Sequence, residues 1–435
     1  MIVDRAKAAV GQSRWHRRVV KSADLVGLLM VVMPILLGAY LTTEAPVLEL
    51  AMYGLCGLVA LPFVGPFISS TARNSANLLL LLLFGALTVS TVIVLVSGGS
   101  PNAWLALKGL VATVAWASVY VVAYSAVRTQ EGVLRLVKWI FAVGVLITLT
   151  VYASRLFYVG EVIIDREGAI RAFGPLGDQV GFVVVLPALI SLVSGRFLLF
   201  GVHLGALFLT STRGAIACLA LGVVVYFMLI LSGSVSSARR RLASAAAAVL
   251  IAVVIWVTPI SAVLMGRLSS PTFRLQAIEL GVEIVRQNPL VGVGFNGFDR
   301  SRPAVAEDWL TPAITANGLS RASNQYVQTA TDGGLPALLL LLLFSAIVIR
   351  NALSVMRAHG STAELFGCQL WLISMLIGNQ TSLWLLSSTA SGFFIFAVAG
   401  VTARSRDILL QDRAQAGPKR KGLPSLYGPA SSTSP

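Results

Sequence analysis

The sequence predicts an all-α polytopic membrane protein of about twelve transmembrane helices, with a long outer loop between the ninth and tenth spans. Three observations predict it. Hydrophobic residues make up 56% of the 435-residue chain, charged residues only 12%, and the mean hydropathy is +0.83, whereas a soluble domain is roughly a quarter charged. Apolar segments of roughly 17 to 25 residues recur along nearly the whole chain, and each can cross the hydrocarbon core as a helix that satisfies its own backbone. Every second set of short loops carries arginine, as cytoplasmic loops do.

The spans are expected near 24–42, 46–65, 77–97, 104–126, 133–153, 179–194, 196–210, 214–233, 242–265, 322–349, 365–381 and 384–403, the sixth and seventh being short. The basic stretch 1–23 resembles the charged region of a signal peptide. The apolar run from Leu25 to Leu41 is long, no A-x-A site closes it and more spans follow, so it reads as a retained first helix. Residues 24–410 then form one membrane domain. The tail 411–435, with "GPKRKGLPSLYGPASSTSP", is rich in Pro, Gly and Ser and reads as disordered.

Placing the basic N-terminus in the cytoplasm puts Arg73, Arg128, Arg135, Lys138, Arg196, Arg239, Arg240, Arg241, Arg350, Arg357 and the basic tail on the same side. That assignment requires an even number of spans and puts both termini in the cytoplasm. The formal charge of +15 is thereby used for topology, and no nucleic-acid partner is expected. Cys56, Cys218 and Cys368 lie inside apolar runs without CxxC spacing, so neither a disulfide framework nor a metal site is indicated.

Three polar features then face outward. "TSTRGA", residues 210–215, sets Arg213 between two apolar runs, beside Ser211 and Thr212 and before Gly214 and Ala215. The loop "RLFYVGEVIIDREGAIRAFGPLGDQVG" carries Arg155, Arg166, Arg171 and Asp178. The long loop 266–320 contains "PTFRLQAIELGVEIVRQNPLVGVGFNGF", in which Ile278, Val282 and Val285 recur at helical spacing. It predicts a short amphipathic helix lying on the membrane surface, with Arg274 near its start and Glu279, Glu283 and Arg286 on its other face. The glycines of "VGVGFNG" allow a tight turn and close backbone approach, without the strand and helix a nucleotide-binding loop needs. Beyond them, "ASNQYVQTATDGGLPALLLLLL" places Asn324, Tyr326, Gln328 and Asp332 at the outer end of span ten, where polar groups must face protein or a wet cavity, and Gly333, Gly334 and Pro336 mark a break. The basic residues of these outer loops are all arginines, whose planar fork grips phosphate.

The order of these pieces, a hydroxyl-rich turn ending in Arg-Gly-Ala, a long outer loop with "R…NPLxGVGxxxF" and then "Asn-x-Tyr…Asp-x-Gly-Leu", resembles the O-antigen ligase and O-antigen polymerase superfamily over roughly residues 165–345. The resemblance implies a bacterial inner-membrane glycosyltransferase that acts on undecaprenyl-diphosphate-linked saccharides with no nucleotide sugar, metal or other cofactor, and whose active site faces the periplasm. It implies that Arg213 and Arg274 hold the donor's diphosphate, with Ser211, Thr212, Arg171, Arg286, Asn324 and Tyr326 as further substrate-binding candidates. Where ligases of the superfamily carry His-Asn this chain has Ser323 and Asn324, and its histidines are His16, His203 and His359, none on the outer side. This favours the polymerase-like branch, which makes surface polysaccharide or exopolysaccharide, with a flippase and a chain-length regulator as implied partners. Glu279, Glu283, Asp299, Glu307, Asp308 and Asp332 lie on the side where a general base would act, Glu283 being taken first. The alternatives are ligase-type transfer to another acceptor and a membrane transporter or flippase. A transporter predicts paired broken helices and mid-membrane charges, which the spans mostly lack.

Overall fold

A computed structural model of the chain describes residues 24, 26–29, 31–32, 35–36, 46–97, 103–157, 162–164, 170–172, 179–210, 212–231, 269–295, 297–298, 301, 322, 324–358, 362–378 and 390–415. The described residues between 24 and 36 are helical. They are followed by α1 (Pro46–Thr71), α2 (Ser75–Val96), α3 (Ala103–Ala126), α4 (Gln130–Phe157), α5 (Val180–Val193), α6 (Phe197–Thr210) and α7 (Arg213–Leu231). After these come α8 (Ser269–Gln287), α9 (Gln325–Arg357), α10 (Ala363–Gly378) and α11 (Ala390–Gln415). Five of the described helices, α1 to α4 and α9, contain segments long and apolar enough to cross a membrane, and α5, α6, α7 and α10 are shorter apolar helices. The chain is thus helical and polytopic as expected, while the expected span 242–265 lies outside the described residues.

One element departs from an all-α fold. Val162–Ile164 (β1) and Ile170–Ala172 (β2) pair antiparallel, with Ile163 opposite Arg171, in the outer loop after α4. The "VII…IRA" pair carries the β-branched residues that favour extended backbone, and its signal is too short to separate from loop in sequence.

α5 is the axis of the bundle. It is buried from Val180 through Leu192, as its uninterrupted apolar sequence requires, and α4, α6, α7 and α10 pack around it. Close approach depends on small residues: Gly144 of α4 faces the ring of Pro187, and a Cβ on Gly367 of α10 would sit 2.6 Å from Ile190 Cα. The buried Trp371 indole N–H donates to Phe182 O at 2.9 Å, locking α10 to α5 about one turn before Pro187.

Hydrogen bonds sort the helix ends into two groups. At one end Asn74 caps α2, and its Nδ2 donates to Asp407 Oδ2 at 3.0 Å. Tyr124 Oη donates to the same oxygen at 2.6 Å, and Arg404 Nε donates to Val127 O at 2.8 Å. Arg135 pairs with Asp24 at 2.8 Å and Arg196 with Glu364 at 3.4 Å. The α5–α6 connection also lies here and closes as a Schellman motif: Arg196 N donates to Ser191 O, Gly195 N to Leu192 O, and Gly195 takes φ 70°. This is the arginine-rich end that the charge pattern predicts. At the opposite end the start of α5 meets the α6–α7 turn, Ser391 Oγ donates to Gln179 Oε1 at 3.1 Å, and Tyr326 Oη at the start of α9 donates to Leu376 O at the end of α10 at 2.6 Å.

Candidate functional site

The α6–α7 turn is built by hydroxyls that bond the backbone in place of helix propagation. Thr210 Oγ1 donates to Leu207 O at 2.8 Å and Thr212 Oγ1 to Thr210 O at 3.3 Å. Thr212 O then accepts from Ala215 N and Ile216 N, so α7 begins with Arg213 as its first residue. The turn presses on α5, where a Cβ on Gly181 would lie 2.8 Å from Thr212 Cβ. Ser211 and the Arg213 side chain lie outside the described residues, as does the Arg171 side chain.

α8 carries Arg274 in its second turn, that side chain also lying outside the described residues. Its packing adds a protein-facing side to the expected amphipathic helix. The face that buries is Ala277, Leu280 and Ile284, which form a small core with Phe298 and Ala322, whereas Val282 remains 40% exposed. The physical reason is Gly281, whose missing side chain lets Val327 of α9 within 2.5 Å of where a Cβ would stand. The helix therefore docks on α9 through small residues, which leaves Ile278, Val282 and Val285 off that contact. Glu283 pairs with Arg286 at 3.2 Å, with the Arg286 side chain 73% exposed, a geometry worth about 0–1 kcal/mol.

After α8 the "NPLVGVG" turn inserts into the break of α9. Gly334 takes φ 72° and ψ −176°, and Pro336 has no N–H to offer Asp332 O. The carbonyls released by the break are taken up by the turn: Val293 N donates to Thr331 O at 2.7 Å and Gly294 N to Asp332 O at 3.1 Å, while Leu335 N donates to Pro289 O at 2.8 Å. Gly292 and Gly294 reach these positions at φ 70° and 74°. From α2, Ser90 Oγ donates to Asp332 O at 2.7 Å and also contacts Val291 O, and Thr91 Oγ1 accepts from Phe295 N at 3.4 Å. Backbone at membrane depth is thereby satisfied without a continuous helix. Ser90 and Thr91 are the residues that sequence reasoning missed, because two hydroxyls inside "TVSTVIV" read as ordinary span residues.

The first turns of α9 are polar and buried, as their setting demands: Gln325, Gln328, Thr329, Thr331 and Asp332 are at most 3% exposed. Gln328 Nε2 donates to Asp332 Oδ1 at 2.9 Å, and Gln328 Oε1 accepts from Ala322 N at 2.8 Å. Asn324 Oδ1 accepts from Tyr326 N at 2.9 Å and Val327 N at 3.2 Å, so its side chain caps the helix. Glu279 is exposed, and Asp299, Glu307 and Asp308 lie outside the described residues. Among the described residues no group of three or more His, Cys, Asp and Glu side chains comes together as a metal site would.

Fold and site together define a class: a polytopic membrane protein that carries, at the end opposite its arginine-rich connections, an Arg-bearing helix start, an amphipathic helix and a broken span to which that helix is latched. Residues 197–342, roughly a third of the chain, match the family model described as O-antigen ligase. The match runs from the start of α6 to the middle of α9, takes in Arg213, Arg274 and the α9 break, and supports the O-antigen ligase and polymerase superfamily. No curated protein matches the chain.

Proposed function

We propose that the protein is a membrane glycosyltransferase that polymerises undecaprenyl-diphosphate-linked oligosaccharide repeats into surface polysaccharide or exopolysaccharide, in a bacterial inner membrane, with its site facing the periplasm. The observation that carries the reading is that the start of α7 with Arg213, the α8 helix with Arg274 and the α9 break to which α8 is held all lie at the end opposite the arginine-rich face and within the O-antigen ligase match. A flippase and a chain-length regulator are the partners such a polymerase needs.

In this reaction the hydroxyl oxygen at the non-reducing end of one lipid-linked repeat attacks the anomeric carbon of the growing chain. The bond from that carbon to the diphosphate oxygen breaks, and its electron pair leaves with undecaprenyl diphosphate. Charge grows on the leaving group, so guanidinium groups fixed beside it lower the barrier. Arg213 and Arg274 take that role. The start of α7 adds to it, because the first N–H groups of a helix lack intrahelical acceptors and favour anions. Ser211, Thr212, Arg171 and Arg286 are placed as supporting contacts and Asn324 and Tyr326 as the wall of the site, with the acceptor proton passing to Glu283 or another carboxylate.

Helix length supports a recessed site. α5 and α6 have 14 residues each, about 21 Å of helix against a hydrocarbon core of about 30 Å. Starting from the arginine-rich end, helices of this length stop short of the other face, which would set the Thr210–Arg213 turn below it.

The test is deletion of the gene in its host and complementation at matched protein levels. Wild type should restore long polymer. Arg213→Ala and Arg274→Ala should leave single repeats on lipid, each costing about ten- to hundredfold in transfer, the loss expected for a charge-assisted contact. Full rescue by both variants would remove the assignment.

A further inference from the structure

A third arginine at the site's end has a guanidinium nitrogen without an acceptor among the described residues. Arg155 stands in the last turn of α4, and its Nη1 is buried without an acceptor among the described residues. An arginine in a final helical turn ordinarily offers its donors to the terminal carbonyls. This one does not, and neighbouring polar groups are already used: Tyr152 Oη donates to Val202 O at 2.6 Å and Ser154 Oγ to Val151 O at 2.9 Å. A guanidinium cannot shed its proton, so a buried, unspent N–H is a cost that an anion would remove.

The register of α4 against α6 says where that anion would sit. Thr148 Oγ1 donates to Gly144 O at 2.9 Å and lies 2.9 Å from His203 Nδ1, which levels Thr148 with His203, and Tyr152 faces Gly205. Both helices run away from the arginine-rich end. Seven residues beyond this contact stand Arg155 on α4 and Thr210 on α6, the residue that opens the turn to Arg213. Arg155 is therefore level with the start of α7.

We propose that Arg155 is a further anion-binding residue, contributing a guanidinium from α4 to a phosphate-ester site that it shares with the start of α7. Its identification as part of the lipid-diphosphate site rests on the transferase reading above; its role as an anion ligand does not.

The experiment uses full-length protein in phosphatidylcholine nanodiscs, as wild type, Arg155→Ala and Arg155→Lys. Thermal unfolding is followed alone and with inorganic diphosphate, undecaprenyl diphosphate, undecaprenol or added phosphatidylglycerol. For the ligand-free protein, Arg155→Ala should melt no lower than wild type, because an unpartnered charge has been removed. The same variant should bind inorganic and undecaprenyl diphosphate about ten- to hundredfold more weakly, with Arg155→Lys in between. Undecaprenol should protect no variant through this residue.

A lower ligand-free melting point with unchanged diphosphate affinity would make Arg155 a structural residue and overturn the proposal. A loss for phosphatidylglycerol equal to that for undecaprenyl diphosphate would overturn the assignment to the donor. Weakened binding of inorganic diphosphate, with wild type taking up no undecaprenyl diphosphate, would uphold Arg155 and refute the transferase reading.

Discussion

Gly292 and Gly195 form a matched pair that isolates the contribution of the α9 latch. Both have φ 70°, so alanine at either must adopt a left-handed backbone, at about 1–2 kcal/mol. Around Gly195 nothing lies within 4 Å of a new Cβ, so Gly195→Ala should cost no more than that. At Gly292 the Cβ would stand 2.5 Å from Thr331 O and 2.7 Å from Gly334 N, both backbone atoms that cannot rotate away. Overpacking of this kind adds about 1–3 kcal/mol. Gly292→Ala should therefore exceed its control by about 1–3 kcal/mol, or roughly five- to 150-fold in the local opening equilibrium. Hydrogen exchange by mass spectrometry on the full chain in nanodiscs measures this directly, in peptides covering 288–295 and 325–335 for one variant and 190–200 for the other. Glycan transfer should fall with Gly292→Ala and persist with Gly195→Ala. Equal rises in exchange would mean that the turn is not held against the broken helix, and the account of the latch would fail.

The same latch predicts that Ser90→Ala, which deletes a hydroxyl serving Asp332 O, raises exchange across 289–294 and 331–335 by about fivefold, the equivalent of about 1 kcal/mol for one net hydrogen bond. Exchange confined to the mid-bundle segments would contradict it. At the axis, Trp371→Phe removes the bond to Phe182 O and leaves unfilled volume beside α5, and should lower stability by about 1–3 kcal/mol in denaturant unfolding, with α8 exchange unchanged.

Much of this architecture is legible in sequence because the bilayer imposes it. α1 to α7 and α9 to α11 lie where continuous apolar runs place them. The arginine-rich end collects Arg135, Arg196 and Arg404, and the break at Gly334 was written in "DGGLP". What sequence could not show depends on partners far along the chain. Ser90 reads as a hydroxyl bonding back within its own helix, yet its acceptors Val291 and Asp332 are 201 and 242 residues away. The face of α8 that packs on α9 was not visible in sequence because Ala277 and Gly281 carry little hydrophobic signal, whereas close packing prefers small residues. Arg155 read as one of several outer-loop arginines, and its place in the last turn of α4 with an Nη1 that finds no acceptor among the described residues sets it apart.

The short axis helices and the broken α9 address the same physical problem from two directions. A site for a lipid diphosphate needs polar groups near the membrane surface, yet exposed backbone cannot face hydrocarbon. α5 and α6 stop early, at 14 residues each, and the start of α5 packs on Thr210 and Thr212 of the turn that follows α6. α9 breaks, which releases carbonyls at Thr331 and Asp332 that a following turn of helix would otherwise satisfy. Those carbonyls then serve as the anchor for the 288–294 turn. Because α8 leads directly into that turn and packs its Ala277, Leu280 and Ile284 face on α9 through Gly281, the position of Arg274 follows from the break rather than from loop length. A span ten repaired into a continuous helix would recover its own hydrogen bonds and lose the means of holding α8, so the break and the position of α8 form one structural unit.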